Sequence, residues 1–365
     1  MKFQALVAQW EESIRCGEWA PGARLPAERV LAAENRVGIN TVRRAIGVLV
    51  DRGAVDRRQG SGTFVIGHRP VRAGAQQLVG VLVPTTASRF LRLIAGAEHE
   101  LAARGIRLLV ASSNYRAGVE RAQLRRLLGD GVQGLILTPS LHLVEEPQTY
   151  VDELRHLPVP YVLAERRPPA PAPDDETTFV TTDHDAGVYQ ALRHLVGLGH
   201  RRIGFLGRRR TATSDAVAHV FESACLELRL SAGADVVQRR AAWSAADIDA
   251  YLDAIIRSDV TAVFCHDDAD AAALATRARR RGLAVPDDIA LVAHDDRVAP
   301  LDDTLLTAIV APRRDVGATA ARLLMRRMDD SASPSRRIEL LPHLVIRSST
   351  AAPTPDTRYR EEREP

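Results

Sequence analysis

Residues 57–65 read RRQGSGTFV: two arginines, a Gly-Ser-Gly turn, and a β-branched and aromatic run. The segment AVDRR leads into this turn at residues 54–58, and TFVI leaves it at residues 63–66. Two strand-like runs joined by glycines predict a β-hairpin with a flexible, basic tip. The segments that precede the hairpin decide which fold it belongs to.

Three helical segments come before the hairpin. Apolar residues at helical spacing predict a first helix over residues 3–16, a short second helix over 28–35, and a third from 39 to the glycine at 53. Three helices and a hairpin are the elements of a winged helix-turn-helix. In that fold one helix enters the DNA major groove, and the hairpin, or wing, approaches the backbone or the minor groove.

The charge distribution favours a polyanionic partner for this first part of the chain. Residues 1–72 contain 12 Lys/Arg and 7 Asp/Glu, a balance of +5, and the other residues contain 37 and 39, a balance of −2. A local basic excess is typical of nucleic-acid-binding modules, although a solvated helix face can also produce it.

Several classes of protein are disfavoured by what the sequence lacks. Lys2 is the only lysine, which excludes a P-loop lysine and a pyridoxal-binding core lysine. We find no nucleophile elbow, HExxH motif or Gly-rich dinucleotide fingerprint, and we expect no enzyme and no cofactor. The cysteines, Cys16, Cys225 and Cys265, are too scattered for a disulfide framework. With no apolar membrane span or secretory leader in the sequence, we expect a cytoplasmic protein that does not bind membranes.

The pattern changes after residues 67–77, which show no periodicity and are predicted to be a linker. Short apolar strands then alternate with helices, as in an α/β fold with parallel sheets covered on both faces. A Pro-rich loop interrupts the alternation, which predicts two lobes. We therefore expect a winged helix-turn-helix domain at residues 1–66, the linker, a two-lobed α/β domain at 78–350, and a disordered tail at 351–365.

The segment 21–65 resembles the GntR-type winged-helix repressors. The resemblance depends on Leu25-Pro26 with Glu28-Arg29, on Thr41-Val42-Arg43, and on the wing at 60–65. It implies contacts with double-stranded operator DNA through a set of polar, basic and glycine residues: Arg29, Asn40, Thr41, Arg43, Arg44, Gln59, Gly60, Ser61 and Gly62.

Two departures from the GntR pattern concern base recognition. Gly38 stands where the family usually has Ser or Thr, and Ile39 stands where it often has an arginine that reads guanine. Ile39 can instead contact a thymine methyl group, or the module has a different specificity. A winged helix that binds protein instead of DNA is the alternative interpretation.

The segment from 78 to about 349 resembles the effector domains of LacI-type regulators and, through them, periplasmic sugar-binding proteins. The similarity depends on Asp183, Gly187, Gly199-His200 and the Asp295-Asp296 pair. A GntR-type domain followed by a LacI-type domain is the architecture of arabinose-repressor-like regulators.

In such folds ligands bind between the lobes, at the carboxyl ends of the strands. The resemblance implies the following effector-binding residues: Thr85, Phe90, Thr138, Glu165, Asp215, Trp243, Asp267 and Asp295. Phe90 can equally be a core residue, Trp243 a brace within its lobe, and Glu165 and Asp215 solvated carboxylates. Departures at Val217, where arginine is common, and at Asp267, where asparagine is common, leave the effector's identity open.

The segments CHDD at 265–268 and HDD at 294–296 contain metal-ligating residue types. Because both segments follow predicted strands, where effector binding already accounts for these residues, we expect no metal.

The sequence thus predicts a homodimeric, sugar-responsive transcriptional repressor of carbohydrate-use genes. The alternatives are a regulator that senses a non-sugar molecule such as a nucleoside, and a protein-binding adaptor.

Overall fold

A computed structural model describes residues 2–15, 18–19, 22–51, 54–58, 62–65, 77–86, 88–169, 175–231, 233–296, 305–330 and 332–350. The predicted tail at 351–365 and nearly all of the predicted linker lie outside these residues. None of the helices in the described part of the chain has the length and apolar content that crossing a bilayer requires.

The first unit, here called the head, has the predicted order of three helices and a hairpin. Leu6, Val7 and Trp10 lie on one face of the first helix and are buried against the third helix and the hairpin. The segment before α2 is joined to the hairpin, because Arg24 forms an isolated antiparallel bridge with Phe64. The elements of the head are α1 (Lys2–Arg15), α2 (Glu28–Glu34), α3 (Ile39–Asp51), β1 (Val55–Arg58) and β2 (Gly62–Val65).

The remainder forms two lobes, each built on a six-stranded sheet. The first lobe begins with β3 (Leu78–Val83), α4 (Ser88–Ala102), β4 (Arg107–Ser112), α5 (Ala117–Gly129), β5 (Gly134–Leu137), α6 (Pro147–Arg155), β6 (Tyr161–Ala164) and β7 (Phe179–Thr182). The second lobe contains α7 (His184–Gly197), β8 (Ile203–Arg208), α8 (Ser214–Glu227), β9 (Val237–Arg240), α9 (Ala245–Arg257), β10 (Ala262–Cys265), α10 (Asp268–Arg280), β11 (Ala290–His294) and β12 (Thr307–Val310). The last elements are α11 (Arg313–Asp329) and β13 (Arg337–Leu340) of the first lobe and β14 (His343–Val345) of the second.

The strand order is β13-β7-β6-β5-β3-β4 in the first lobe and β14-β12-β11-β10-β8-β9 in the second. Neighbouring strands are parallel except for the antiparallel pair β12 and β14. Helices cover both faces of each sheet, so strand residues alternate between two cores: Val81 of β3 packs in one cluster and Leu82 in the other. This confirms the predicted α/β class with two lobes and parallel sheets.

The chain passes between the lobes three times, and each passage follows the carboxyl end of a strand. The crossings come after β7, β12 and β13, at Asp183, at Ala311-Pro312 and at Leu341-Pro342. Because parallel strands end at one edge of their sheet, the carboxyl ends of both sheets lie at this junction. The junction is therefore the place to look for a ligand site.

The first lobe depends on a close contact between α4 and α11. A Cβ at Gly96 would overlap the carbonyl oxygen of Arg314, and a Cβ at Gly317 would overlap the carbonyl oxygen of Leu93. The two glycines thus let the helix backbones touch at one reciprocal crossing. Since α11 follows the second crossing, this contact also fixes where the chain enters the first lobe.

The Gly96→Ala variant is expected to destabilise the protein by about 2–3 kcal/mol, because the added methyl group pushes backbone against backbone. Thermal and urea unfolding of the full chain measure the effect. Gly118→Ala, in α5, is the matched control, since its Cβ would have no heavy atom within 4 Å. Equal stability of the two variants would contradict the proposed importance of the crossing.

Candidate functional site

The start of α3 carries the polar residues predicted to face DNA. Asn40 is exposed in the first turn, and Thr41, half-buried, donates its backbone N–H to Gly38 at 2.9 Å. Arg29 is exposed on α2. Gln59, Gly60 and Ser61 lie outside the described residues, whereas Gly62 is described and has φ +116°.

Glu28 connects α3 to the wing. Its carboxylate accepts a hydrogen bond from Nε of Arg43 at 2.7 Å, and its other oxygen pairs with the guanidinium of Arg57 on β1. Glu28 is the more enclosed partner, with 22% of its side chain exposed against 57% for Arg43. One carboxylate therefore holds two exposed arginines from different elements and leaves a net charge of +1.

Sequence reasoning did not assign a role to Glu28 or Arg57 on this surface. The sequence feature that could have revealed their role is Glu28 itself, an acidic residue among the arginines of a basic surface. Arg44, which was predicted to contact DNA, lies with its guanidinium 4.4 Å from the centroid of the Phe3 ring. That contact directs it toward α1.

On the first lobe, the predicted effector residues lie where expected, at strand ends. Thr85 follows β3, and Thr138, 1% exposed, follows β5. Glu165 follows β6 with φ +54°, and its carboxylate accepts from Oγ1 of Thr182 at 2.9 Å and from the Thr182 N–H at 3.3 Å. Phe90 is 3% exposed in the core between the sheet and α11, which favours its alternative interpretation as a core residue.

On the second lobe, Asp267 and Trp243 have structural partners. Asp267 caps α10 by accepting from the Ala269 N–H at 3.1 Å, and it lies 3.7 Å from Arg208, whose main partner is Asp270. The indole Nε1 of Trp243 donates to the carbonyl of Gly207 at 2.9 Å, at the end of β8.

Two further contacts limit what Trp243 and Asp215 present to a ligand. The guanidinium of Arg240 lies 5.3 Å from the Trp243 ring centroid, so one face of that ring is already occupied. Asp215 is 91% exposed and paired with Arg239. Both arrangements favour the alternatives of a brace and a solvated carboxylate.

Asp295 occupies the junction of the lobes. It follows β11 with φ +128°, a conformation that is strained for a side chain larger than glycine and that recurs at functional sites. Both of its oxygens are held by Arg313, at 2.7 and 3.0 Å. Arg313 is the first residue of α11, so this ion pair joins the second lobe to a helix of the first. The side chains are 6% and 14% exposed.

Three histidines lie close to this ion pair. Nδ1 of His184 lies 3.2 Å from Nε2 of His294, and the His266 ring stacks on His294 with centroids 5.9 Å apart. Burial, followed by the proximity of His294 and Arg313, holds the pKa of His184 well below its usual value. The His184 imidazole is therefore neutral at pH 7 and offers hydrogen-bonding groups, not charge, to this junction.

From the sequence, His266 and His294 were candidates only for metal ligands. Within the described residues, no group of three or more His, Cys, Asp or Glu is arranged to hold a metal ion. His184 and Arg313 were not among the predicted site residues. Each directly follows a crossing between the lobes, a feature that only the topology reveals.

Comparison with known proteins agrees with both parts of the fold. A family model for bacterial regulatory proteins of the gntR family matches residues 3–65, and one for a periplasmic binding protein-like domain matches residues 192–350. The arabinose metabolism transcriptional repressor of Geobacillus stearothermophilus is 30% identical over 364 residues, covering 92% of this chain and 94% of the relative.

Solved structures of transcriptional regulators also match this chain. The transcription regulator GntR from Chromobacterium violaceum matches with a TM-score of 0.60 and 29% identity, over 75% of this chain and 99% of that one. The complex of the transcriptional regulator CelR with cellobiose matches with a TM-score of 0.63 and 25% identity, over 89% and 100%. This protein therefore belongs to the family of transcriptional regulators that join a GntR-type winged helix-turn-helix to a LacI-type, periplasmic-binding-protein-like domain.

Proposed function

We propose that this protein is a cytoplasmic repressor of carbohydrate-use genes that binds double-stranded operator DNA through its head and a sugar between its two lobes. The observation that carries the proposal is a relative named an arabinose metabolism repressor, matched across 92% of this chain and hence across both domains. The CelR complex, which contains cellobiose, supports a sugar as the class of effector.

The head docks with α3 in the major groove and the wing beside it. Asn40, Thr41 and Arg43 face the DNA from the first turns of α3, and Arg29 contacts the backbone from α2. The tie from Glu28 to Arg43 and Arg57 supports this arrangement, because it fixes the helix and the wing relative to one another before DNA binds.

The effector binds at the junction of the lobes, against Asp295. A carboxylate paired with a guanidinium offers acceptors and donors side by side, which suits neighbouring sugar hydroxyls that both donate and accept. Thr85, Thr138, Glu165 and Asp267 complete the polar lining from the other strand ends. Trp243 braces the second lobe behind these residues through its bond to Gly207, Phe90 supports the first lobe from its core, and Asp215 stays a solvated carboxylate paired with Arg239.

Two copies pair through the edge of the first lobe. Leu91 on α4 is 53% exposed and Val110 on the edge strand β4 is 45% exposed, so each offers an apolar side chain to a second copy. A two-fold dimer presents two recognition helices to a palindromic operator, about one helical turn apart.

The ligand controls DNA binding by changing the angle between the lobes and hence the spacing of the two heads. A ligand shifts such an equilibrium only by its different affinities for the two states, which is typically worth about 1–3 kcal/mol.

The first prediction concerns the head. Arg43→Ala is expected to weaken binding to the DNA upstream of the protein's own gene by roughly tenfold or more, because it removes a charged contact to DNA. Glu28→Gln is expected to weaken it less, since both arginines stay but lose their common anchor. Fluorescence anisotropy with a labelled duplex measures both.

Arg125→Ala is the matched control for these variants, since it removes one exposed arginine from α5 in the effector domain. All three proteins should keep the same effector-induced rise in melting temperature. Undiminished DNA affinity in Arg43→Ala would argue against the proposed docking of α3.

The second prediction concerns the junction. A thermal-shift screen against sugars, sugar acids and nucleosides should identify a ligand that raises the melting temperature, since binding at 100 times Kd adds about 2.7 kcal/mol. Asp295→Asn should lose this shift, because its amide cannot accept from both hydroxyls and the pairing with Arg313 is lost.

Asp296→Asn is the control, since Asp296 is the next residue and is also paired with an arginine, Arg347. This variant should retain the shift. A normal shift in Asp295→Asn would remove Asp295 from the effector site, and a nucleoside as the stabilising ligand would overturn the assignment of a sugar.

A further inference from the structure

Arg24 is a basic residue of the head that neither the sequence motifs nor the comparisons assign to DNA. It precedes α2 in sequence, but its backbone pairs with the wing through the bridge to Phe64. Flanking bonds secure this pairing: the N–H of Leu25 donates to Thr63 at 2.8 Å, and the N–H of Val65 donates to Ala23 at 2.9 Å. Arg24 is therefore part of the wing and moves with it.

The guanidinium of Arg24 lies close to the hairpin where β2 begins. A Cβ on Gly62 would lie 2.6 Å from Nε of Arg24 and 3.2 Å from its Cζ, so the side chain fills the space that the glycine leaves open. Gly62 also has φ +116°, which side chains other than glycine rarely adopt. The glycine thus serves both the turn and the close approach of Arg24.

This position differs from that of three other arginines in the head. Arg43 and Arg57 share the carboxylate of Glu28, and Arg44 lies over an aromatic ring. Arg24 is exposed, and among the residues that the structure describes its side chain has no carboxylate or hydrogen-bonding partner. Packing against Gly62 positions the Arg24 guanidinium, and no carboxylate of the described head neutralises its charge. Such a group is suited to bind an anionic ligand.

We infer that Arg24 is a phosphate-binding residue that holds the wing to the DNA backbone. The inference depends on the proposed function, which brings the wing against a duplex. A guanidinium beside Gly62, the first residue of β2, lies on the part of the wing that directly follows the tip in sequence, and phosphates line the groove that a wing approaches. Its contribution is electrostatic and independent of base sequence, and it positions the wing without reading bases.

The test compares full-length wild type, Arg24→Gln and Arg125→Gln by fluorescence anisotropy over a series of salt concentrations. Each protein is titrated with the duplex upstream of its own gene and with an unrelated duplex of equal length. Because one phosphate contact releases about one counterion, Arg24→Gln should reduce the slope of log K against log salt by about 1 on both duplexes. Its affinity should fall roughly tenfold on both.

Arg125→Gln, which removes a charge from the effector domain, should leave the slope unchanged. Arg24→Lys keeps the charge and should restore most of the slope but not all of the affinity, since an ammonium group cannot bind phosphate through two nitrogens. The backbone bridge to Phe64 does not involve the side chain, so the melting temperature should stay the same in all variants.

An unchanged slope in Arg24→Gln, with normal binding by wild type, would overturn this inference and leave the proposed function intact. Loss of affinity for the cognate duplex alone would also overturn it, because that pattern indicates base reading. If wild type bound neither duplex, the proposed function and the inference would fail together.

Discussion

The ion pair between Asp295 and Arg313 is the interaction that links the two lobes at their junction. It joins the end of a central strand in one lobe to the first residue of the helix that enters the other. Both side chains are largely withdrawn from water, so neither charge can be left without its partner at low cost. A ligand that contacts either residue therefore acts on the geometry of both lobes.

The surroundings of this pair bring both lobes together at the proposed effector site. The chain crosses between the lobes three times within the same region, and the neutral His184 lies beside His294 next to the ion pair. The reciprocal glycine contact between α4 and α11 holds the first lobe's side of the junction in place. A single acidic residue has a comparable linking role in the head. The carboxylate of Glu28 pairs with one arginine from α3 and one from the wing.

Much of the fold could be predicted from the sequence because its elements are strongly patterned. The helices of the head have clear amphipathic periods, and the central strands are continuous apolar runs. The edge strands β9 and β13, with sequences VQRR and RIEL, were not predicted. Each is short and polar and is buried on one side at most, so neither gives the apolar signal of a central strand.

The site could be predicted only in part. Parallel strands end at one edge, so polar residues after strands were sound candidates, and Asp295 and Glu165 lie there. The partners of these residues could not be predicted, because Arg313 and His184 reach the junction only through crossings that depend on the whole topology. Phe90 and Trp243 show the same limit, since packing decides whether an aromatic side chain supports a lobe or faces a ligand.

The central claim is that binding between the lobes changes the affinity of the head for DNA. The most direct measurement is the dissociation constant of the full-length protein for its own upstream DNA, with and without a saturating sugar that stabilises it. We expect the two constants to differ by about 5- to 150-fold, the range of typical coupling free energies. Equal constants, with the sugar demonstrably bound, would contradict the account.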